Sequence, residues 1–232
     1  MSQLQDLARC LLAAGYASHV DGQGMYLLST DEGTLISKDW TGESFGKEEL
    51  IATSVRPDSS AAILVTPDDN VIIGITAAST LAAFQFDEDE EEWVQDRALS
   101  AYTVHAKGKL SACHTSDQRI CIVFQDVRGA LVRVEENDSD DASESSDGGS
   151  GWMTTVLEKA CEPMLGTPIS LMLDESGLHV FYVSEADKRI HRLREGGPWA
   201  DEDISEHAFG PLQALALSRG SEEAALTTVD MN

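Results

Sequence analysis

Short alternating runs of apolar and polar residues, parted by small polar turns, recur along the chain. "GMYLLST", "DEG" and "TLISKDW" end at Trp40, and "NVIIGIT", "AAS" and "TLAAFQF" precede Trp93. "RICIVFQ", "DVRG" and "ALVRVEE" precede Trp152, and "LHVFYVS", "EADK" and "RIHRLRE" precede Trp199. Runs of this length, rich in Val, Ile, Phe and Tyr and split by Asp, Gly or Ser, predict β-hairpins. Further apolar runs stand at 60–67, 108–115, 167–174 and 210–218. The four tryptophans lie 53, 59 and 47 residues apart, and the longest interval contains an acidic, serine-rich insertion.

One repeat therefore supplies an inner strand, a hairpin and an outer strand that starts near the Trp. Four antiparallel strands recurring at this spacing predict an all-β chain, a β-propeller of four-stranded blades. The repeats fall at about 5–52, 53–104, 105–162 and 163–209, with a partial fifth at 210–232, in a single domain spanning 1–232. A propeller has to close its ring to avoid an exposed edge. N-terminal residues completing a fifth blade, edges meeting in a homo-oligomer, or descent from a longer architecture would each satisfy that demand. Between the strands no amphipathic segment of about ten residues or more reads as a helix, which disfavours barrel and doubly wound α/β folds. Residues 2–14 read equally as a short N-terminal helix, with Leu4, Leu7, Ala8, Leu11 and Leu12 on one face, or as the inner strand of the first blade.

Charge narrows the partners. Sixteen basic against 41 acidic side chains give a net charge of −25, which repels phosphate backbones and anionic lipid, so neither nucleic acid nor membrane is an expected partner. Much of the acid sits at 87–92 and 135–151, read as solvated loops because neither carries the Asp-x-Asp-x-Asp-Gly spacing of a calcium loop. Cys10, Cys113, Cys121 and Cys161 form no Cys-x-x-Cys pair and no metal-ligand spacing with histidine, so buried free thiols, no metal and no cofactor are expected. The N-terminus has no basic leader, and no stretch reaches about 18 apolar residues. A cytoplasmic, soluble protein is the expectation.

With the hairpins aligned, "ICIVFQD…GALVR…SGW" and "LHVFYVS…KRIHR…GGPW", followed by "GTPISLMLDESG", resemble the fungal fucose-specific lectin family over roughly 108–218. The resemblance implies six-bladed propeller architecture and repeats of the form Ile-Arg-Val-Tyr-Tyr-Gln, a turn, Gly-x-Ile-x-Glu and Gly-Trp. In that family a sugar is held between blades by the Arg of the first hairpin strand, the Glu of the second and an aromatic platform. Position by position, the Arg corresponds to Cys121 and His179, and the Glu to Arg133 and Arg192. In the first two repeats the places fall near Tyr26 and Ser37, and near Ile72 and Ala83 or Phe84. A guanidinium donates where a carboxylate accepts, so the exchange inverts the hydrogen-bonding role, and typical fucose recognition is expected to be lost or weakened.

Candidate ligand-binding residues are therefore Arg133, Arg192, His179, Cys121, Tyr182, Trp152 and Trp199; no catalytic residue is identified. Against each stands a plainer reading. The arginines pair with neighbouring acids, His179 and His191 face solvent, the thiols are buried, and the tryptophans pack under the next blade. The composite expectation is a lectin-like protein binding a small polar or glycan ligand in inter-blade grooves. Two alternatives stay open: an enzyme on a lectin-type propeller that positions and polarises a small molecule, as in a cyclisation step of fungal secondary metabolism, and a protein-interaction platform using the acidic loops.

Overall fold

The alternating runs form antiparallel strands in the computed structural model, which describes residues 15–19, 23–66, 70–137, 151–196, 198–209, 212–219 and 224–230. The first sheet orders β1 (Gly15–Ser18), β2 (Met25–Asp31), β3 (Thr34–Trp40) and β4 (Phe45–Thr53). The second orders β5 (Ala62–Val65), β6 (Asn70–Ile75), β7 (Leu81–Asp87) and β8 (Glu92–Asp96). The third has β9 (Leu110–His114), β10 (Ile120–Gln125), β11 (Leu131–Glu136) and β12 (Trp152–Val156); the fourth has β13 (Ser170–Asp174), β14 (Gly177–Val183), β15 (Ile190–Arg194) and β16 (Ala200–Asp203). A two-stranded sheet, β17 (Leu212–Arg219) and β18 (Ala224–Asp230), follows. Each four-stranded sheet is a meander in chain order, the topology of a propeller blade. Among the described residues the only helical turn is a 3-10 turn at Ala98–Ala101.

The inner strand of the first sheet is Gly15–Ser18, just beyond the segment 2–14 read as helix or strand, and that segment lies outside the described residues. Three tryptophans stand at the start of an outer strand or just before it, whereas Trp40 closes β3 and packs edge-on against Phe45 of β4, ring centroids 5.0 Å apart. Residues 88–91 form the tight turn joining β7 to β8, tied by Asp87 Oδ1, which accepts the N–H groups of Asp89 and Glu90. Most of the second acidic segment, 138–150, lies outside the described residues.

Turn chemistry fixes the hairpins. Glu32 and Gly33 both take positive φ, the geometry of a two-residue turn that matches strand twist. In the β10–β11 turn Gly129 takes φ +85°, and Asp126 Oδ1 accepts the N–H groups of Arg128 and Ala130.

The chain divides into two compact units, Met1–Ala106 and Lys107–Asn232. In the first, Leu28, Leu35 and Ile51 of the first sheet meet Ile63, Ile72, Ala82 and Phe84 of the second. A Cβ on Gly15 would strike the Ala61 carbonyl, so only glycine lets β1 approach β5 so closely. In the second unit Cys121, Val123 and Leu131 of the third sheet pack with Leu178, Val180, Tyr182 and Leu193 of the fourth, joined by Leu157 and Ile169 from the connecting segment. On its other face the fourth sheet buries Phe181, Val183 and Ile190 against Met164, Met172 and Phe209.

The connection into β13 is pinned by a fully buried amide. Gln125 Nε2 donates to the carbonyls of Gly129 and Met164, both at 3.0 Å, and Gln125 Oε1 accepts the Gly166 N–H at 2.8 Å. Gln125→Met keeps the volume but removes all three bonds, and unfolding in urea is expected to show a loss of about 2–4 kcal/mol. Val127→Ala, at an exposed turn position, is expected to stay within about 0.5 kcal/mol of wild type.

Candidate functional site

Strand register places Cys121 opposite both Cys113 and Glu135, and Val123 opposite Arg133, so these side chains share the face of the third sheet that packs on the fourth. Where that packing ends, the two sheets part around a cleft of about 400 Å³. Its charged lining is Arg119, Arg133 and Glu135 from the third sheet and Asp174, Glu175 and Glu195 from the fourth.

Arg133 is the centre of this lining. It bonds Glu135, two residues along its own strand, and its Nη1 donates to Glu195 Oε1 across the cleft at 2.6 Å. Arg119 Nη2 lies 2.9 Å from the other Glu135 oxygen, so Glu135, only 5% exposed, is held between two guanidinium groups. A carboxylate this deep is tolerable only with such partners. Glu195 Oε2 also accepts the Leu178 N–H, which seats it on the neighbouring strand. Two cations against four acids leave the lining net negative, so the cleft offers a fork of donors beside carboxylate acceptors and no net attraction for an anion.

The other candidates take different places. Arg192 lies opposite Phe181 and Glu202, and bonds Glu202. It projects from the opposite face of the fourth sheet, so Arg133 and Arg192 do not converge. Cys121 is fully buried, and Cys113, half-buried, is its cross-strand neighbour; both are free thiols, and the hydrogen bond between them, with burial, pushes the Cys113 thiol up. Tyr182 is fully buried. Trp199 is half-buried on the core between the third and fourth sheets, and Trp152 is half-buried opposite Glu136.

The histidines depart from expectation. Both His179 and His191 are buried and held by carboxylates, where strand alternation suggested a solvent face. Alternation assigns a side chain to one of two faces, and the fourth sheet is packed on both of its faces. His179 Nε2 meets Asp174 Oδ1 at 3.1 Å and Ser176 Oγ at 3.0 Å. The Ser176 hydroxyl and N–H, with His179 behind them, hold the Asp174 carboxyl down at about 2. His191 lies between two acids, Nδ1 2.6 Å from Asp201 Oδ2 and Nε2 3.1 Å from Asp187 Oδ2. Burial would lower its pKa, but the two carboxylates outweigh burial and raise it above 6.5. Asp201 also accepts the Tyr182 hydroxyl at 2.7 Å, and burial with that bond drives the Tyr182 phenol well up. Cys161 completes this group, its ligand atom and those of His191 and Asp201 all lying within 4.8 Å of one another.

Sequence reasoning names Tyr182 and His191 but misses the cleft residues Glu135 and Glu195 and the Asp201 carboxylate that joins Tyr182 to His191. A signal existed for Glu195: it continues the alternation His191, Leu193, Glu195 onto the face that meets the third sheet. In the first unit a depression of about 520 Å³ is lined by Leu50, Phe86, Trp93, Lys47 and five glutamates, with no arginine.

No protein-family model matches the chain, and no curated protein does. Solved structures do. The chain is similar to AofleA from Arthrobotrys oligospora at 16% identity and TM-score 0.69, over 95% of this chain and 65% of that one. It is similar to the SapL1 lectin, solved with alpha methyl fucoside, at 13% identity and TM-score 0.65, over 92% of this chain and 71% of that one. A third is the lectin of Aleuria aurantia, described as a six-bladed β-propeller, at 15% identity and TM-score 0.65, over 88% and 66%. The chain has a β-propeller fold. It spans about two thirds of the length of these structures, 65% in the case of AofleA.

The raised His191 pKa carries a signed consequence. Its stabilising effect is fully present below the unfolded value near 6.5 and is lost as pH rises through the higher folded value. Imidazole NMR titration should place the His191 midpoint above 6.5, and Asp201→Asn should bring it down. An unshifted midpoint in that variant would show that Asp201 does not set it. Asp174 acts in the opposite sense, its contribution present above about 3.9 and lost as pH falls through about 2.

Proposed function

We propose that this protein is a carbohydrate-binding lectin whose working site in the second unit is the cleft between the third and fourth sheets, with Arg133 and Glu195 as its polar anchors. The observation that carries the reading is the Arg133–Glu195 pair spanning the cleft mouth at 2.6 Å. An Arg beside a carboxylate is the pairing that recognises adjacent sugar hydroxyls, the guanidinium donating to ring and hydroxyl oxygens while the carboxylate accepts hydroxyl protons. Sequence alignment finds no repeat that keeps both residues in one hairpin; here the Arg comes from β11 and the Glu from just after β15 of the next sheet. Fucose-binding relatives of the same fold support the ligand class, SapL1 by its complex with alpha methyl fucoside and Aleuria aurantia lectin by its complex with Fucalpha1-6GlcNAc.

The electrostatics narrow the sugar. Four acids against two arginines in the lining, within a chain of net charge −25, favour neutral or amino sugars over sialylated or uronic ones. Leu173 and Leu178 supply the apolar wall that a sugar face needs. The trade for this site is an internal one, since a bound sugar competes with the Arg133–Glu195 bond, and millimolar rather than micromolar affinity for a monosaccharide is expected.

A glycan array followed by calorimetry tests the reading. Binding of neutral or amino glycans is expected, reduced about tenfold or more in Arg133→Ala and in Glu195→Gln, with Lys47→Ala at wild-type affinity. An array empty of neutral and amino glycans, or binding indifferent to both cleft substitutions, overturns it.

A further inference from the structure

The group around His191 lies at the other end of the fourth sheet from the cleft, with Val180 and Leu193 between them, and none of its residues lines the cleft. Its parts come from four places in the chain. Tyr182 is on β14, His191 faces it on β15, Asp201 sits diagonally on β16, and Cys161 is on the connection that leaves β12. The Cys161 backbone N–H donates to the Tyr182 hydroxyl oxygen at 2.6 Å, and the Ser184 hydroxyl reaches the Cys161 sulfur at 4.0 Å, which together hold the thiol over the sheet.

A Cys/His/Asp cluster invites a nucleophile reading first. The geometry argues against it, because both imidazole nitrogens already face carboxylates, leaving neither to take the thiol proton. The same geometry has the parts of a metal centre. Cys161 Sγ, a ring nitrogen of His191 and a carboxylate oxygen of Asp201 converge within 4.8 Å, and His191 Nδ1 is the nitrogen that faces Asp201 Oδ2. The remaining His191 nitrogen is oriented by Asp187, and the remaining Asp201 oxygen accepts the Tyr182 hydroxyl. An outer carboxylate on the ligating imidazole and a hydrogen bond on the ligating carboxylate are the supports that metal-binding side chains need.

We propose that Cys161, His191 and Asp201 form a binding site for a thiophilic divalent transition-metal ion of the zinc class, with a fourth position open to water. A thiolate and an imidazole select against calcium and magnesium, which take all-oxygen shells. The ion replaces the proton that His191 Nδ1 shares with Asp201, and the Cys161 thiol loses its own, so two protons leave per ion bound. The 2.6 Å between Nδ1 and Oδ2 opens to about 3.3 Å, the edge of a tetrahedral zinc site. Cys161 can follow that movement because it lies on a connection and is only half-buried. The three ligands are 30 and 10 residues apart along the chain, a spacing that no linear metal motif reports.

Cobalt(II) titration of the untagged, full-length protein, reduced and stripped with chelator, provides the test. One equivalent is expected to give a thiolate-to-cobalt charge-transfer band with intense tetrahedral d–d absorption, bleached by zinc but not by excess calcium or magnesium. Cys161→Ser is expected to abolish the charge-transfer band and lower zinc affinity at least 100-fold, while Cys113→Ser leaves both intact. His191→Gln should also lose the band; should that variant not fold, Cys161→Ser, at the half-buried loop position, still decides. Weak octahedral absorption without a thiolate band, as scattered surface carboxylates would give, or a band that survives Cys161→Ser, overturns the proposal. Sugar binding is a separate readout, so failure of either proposal leaves the other standing.

Discussion

The packing of the third sheet on the fourth is the constraint on which the second unit depends. Cys121, Val123 and Leu131 on one side and Leu178, Val180, Tyr182 and Leu193 on the other form one buried layer. Apolar burial of this kind supplies stability without direction, so the polar groups around the layer have to specify the register of the two sheets. Gln125 does so from the turn side, tying β10 to the connection ahead of β13 through two hydrogen bonds, to the Met164 carbonyl and the Gly166 N–H, and to its own hairpin turn through a third. Arg133 does so from the cleft side through Glu195.

That arrangement explains why charge is concentrated where it is. Glu135 is almost wholly buried, and two arginines neutralise it; one of them, Arg133, has capacity left to reach the next sheet. The ion chain Arg119–Glu135–Arg133–Glu195 is thus both a clasp between sheets and the polar lining of the cleft. At the opposite end of the fourth sheet, the Tyr182 hydroxyl, Asp201, His191 and Asp187 form a second chain, in which both imidazole nitrogens and the phenol meet carboxylates.

The repeat was legible because strands and turns are local. Alternating runs, turn residues and the Trp spacing locate the hairpins of all four sheets, and even the two-residue turn at Glu32–Gly33 carries its signature. The sites were legible only in part. Position-by-position correspondence pointed to Arg133, yet it could not find Glu195, because the partner is contributed by a different sheet and not by the same hairpin. His179 and His191 were assigned to solvent for a similar reason: alternation reports the face, and what covers the face is a tertiary fact. Cys161, His191 and Asp201 meet through a connection and two strands, so no interval in the chain announces them.

The second unit depends on the third and fourth sheets sharing one apolar layer. A methyl NOESY spectrum of protein labelled at Ile, Leu and Val tests that most directly. Cross-peaks are expected linking the methyls of Val123 and Leu131 to those of Leu178, Val180 and Leu193. Two separate methyl networks, one for each sheet with no peaks between them, would contradict it.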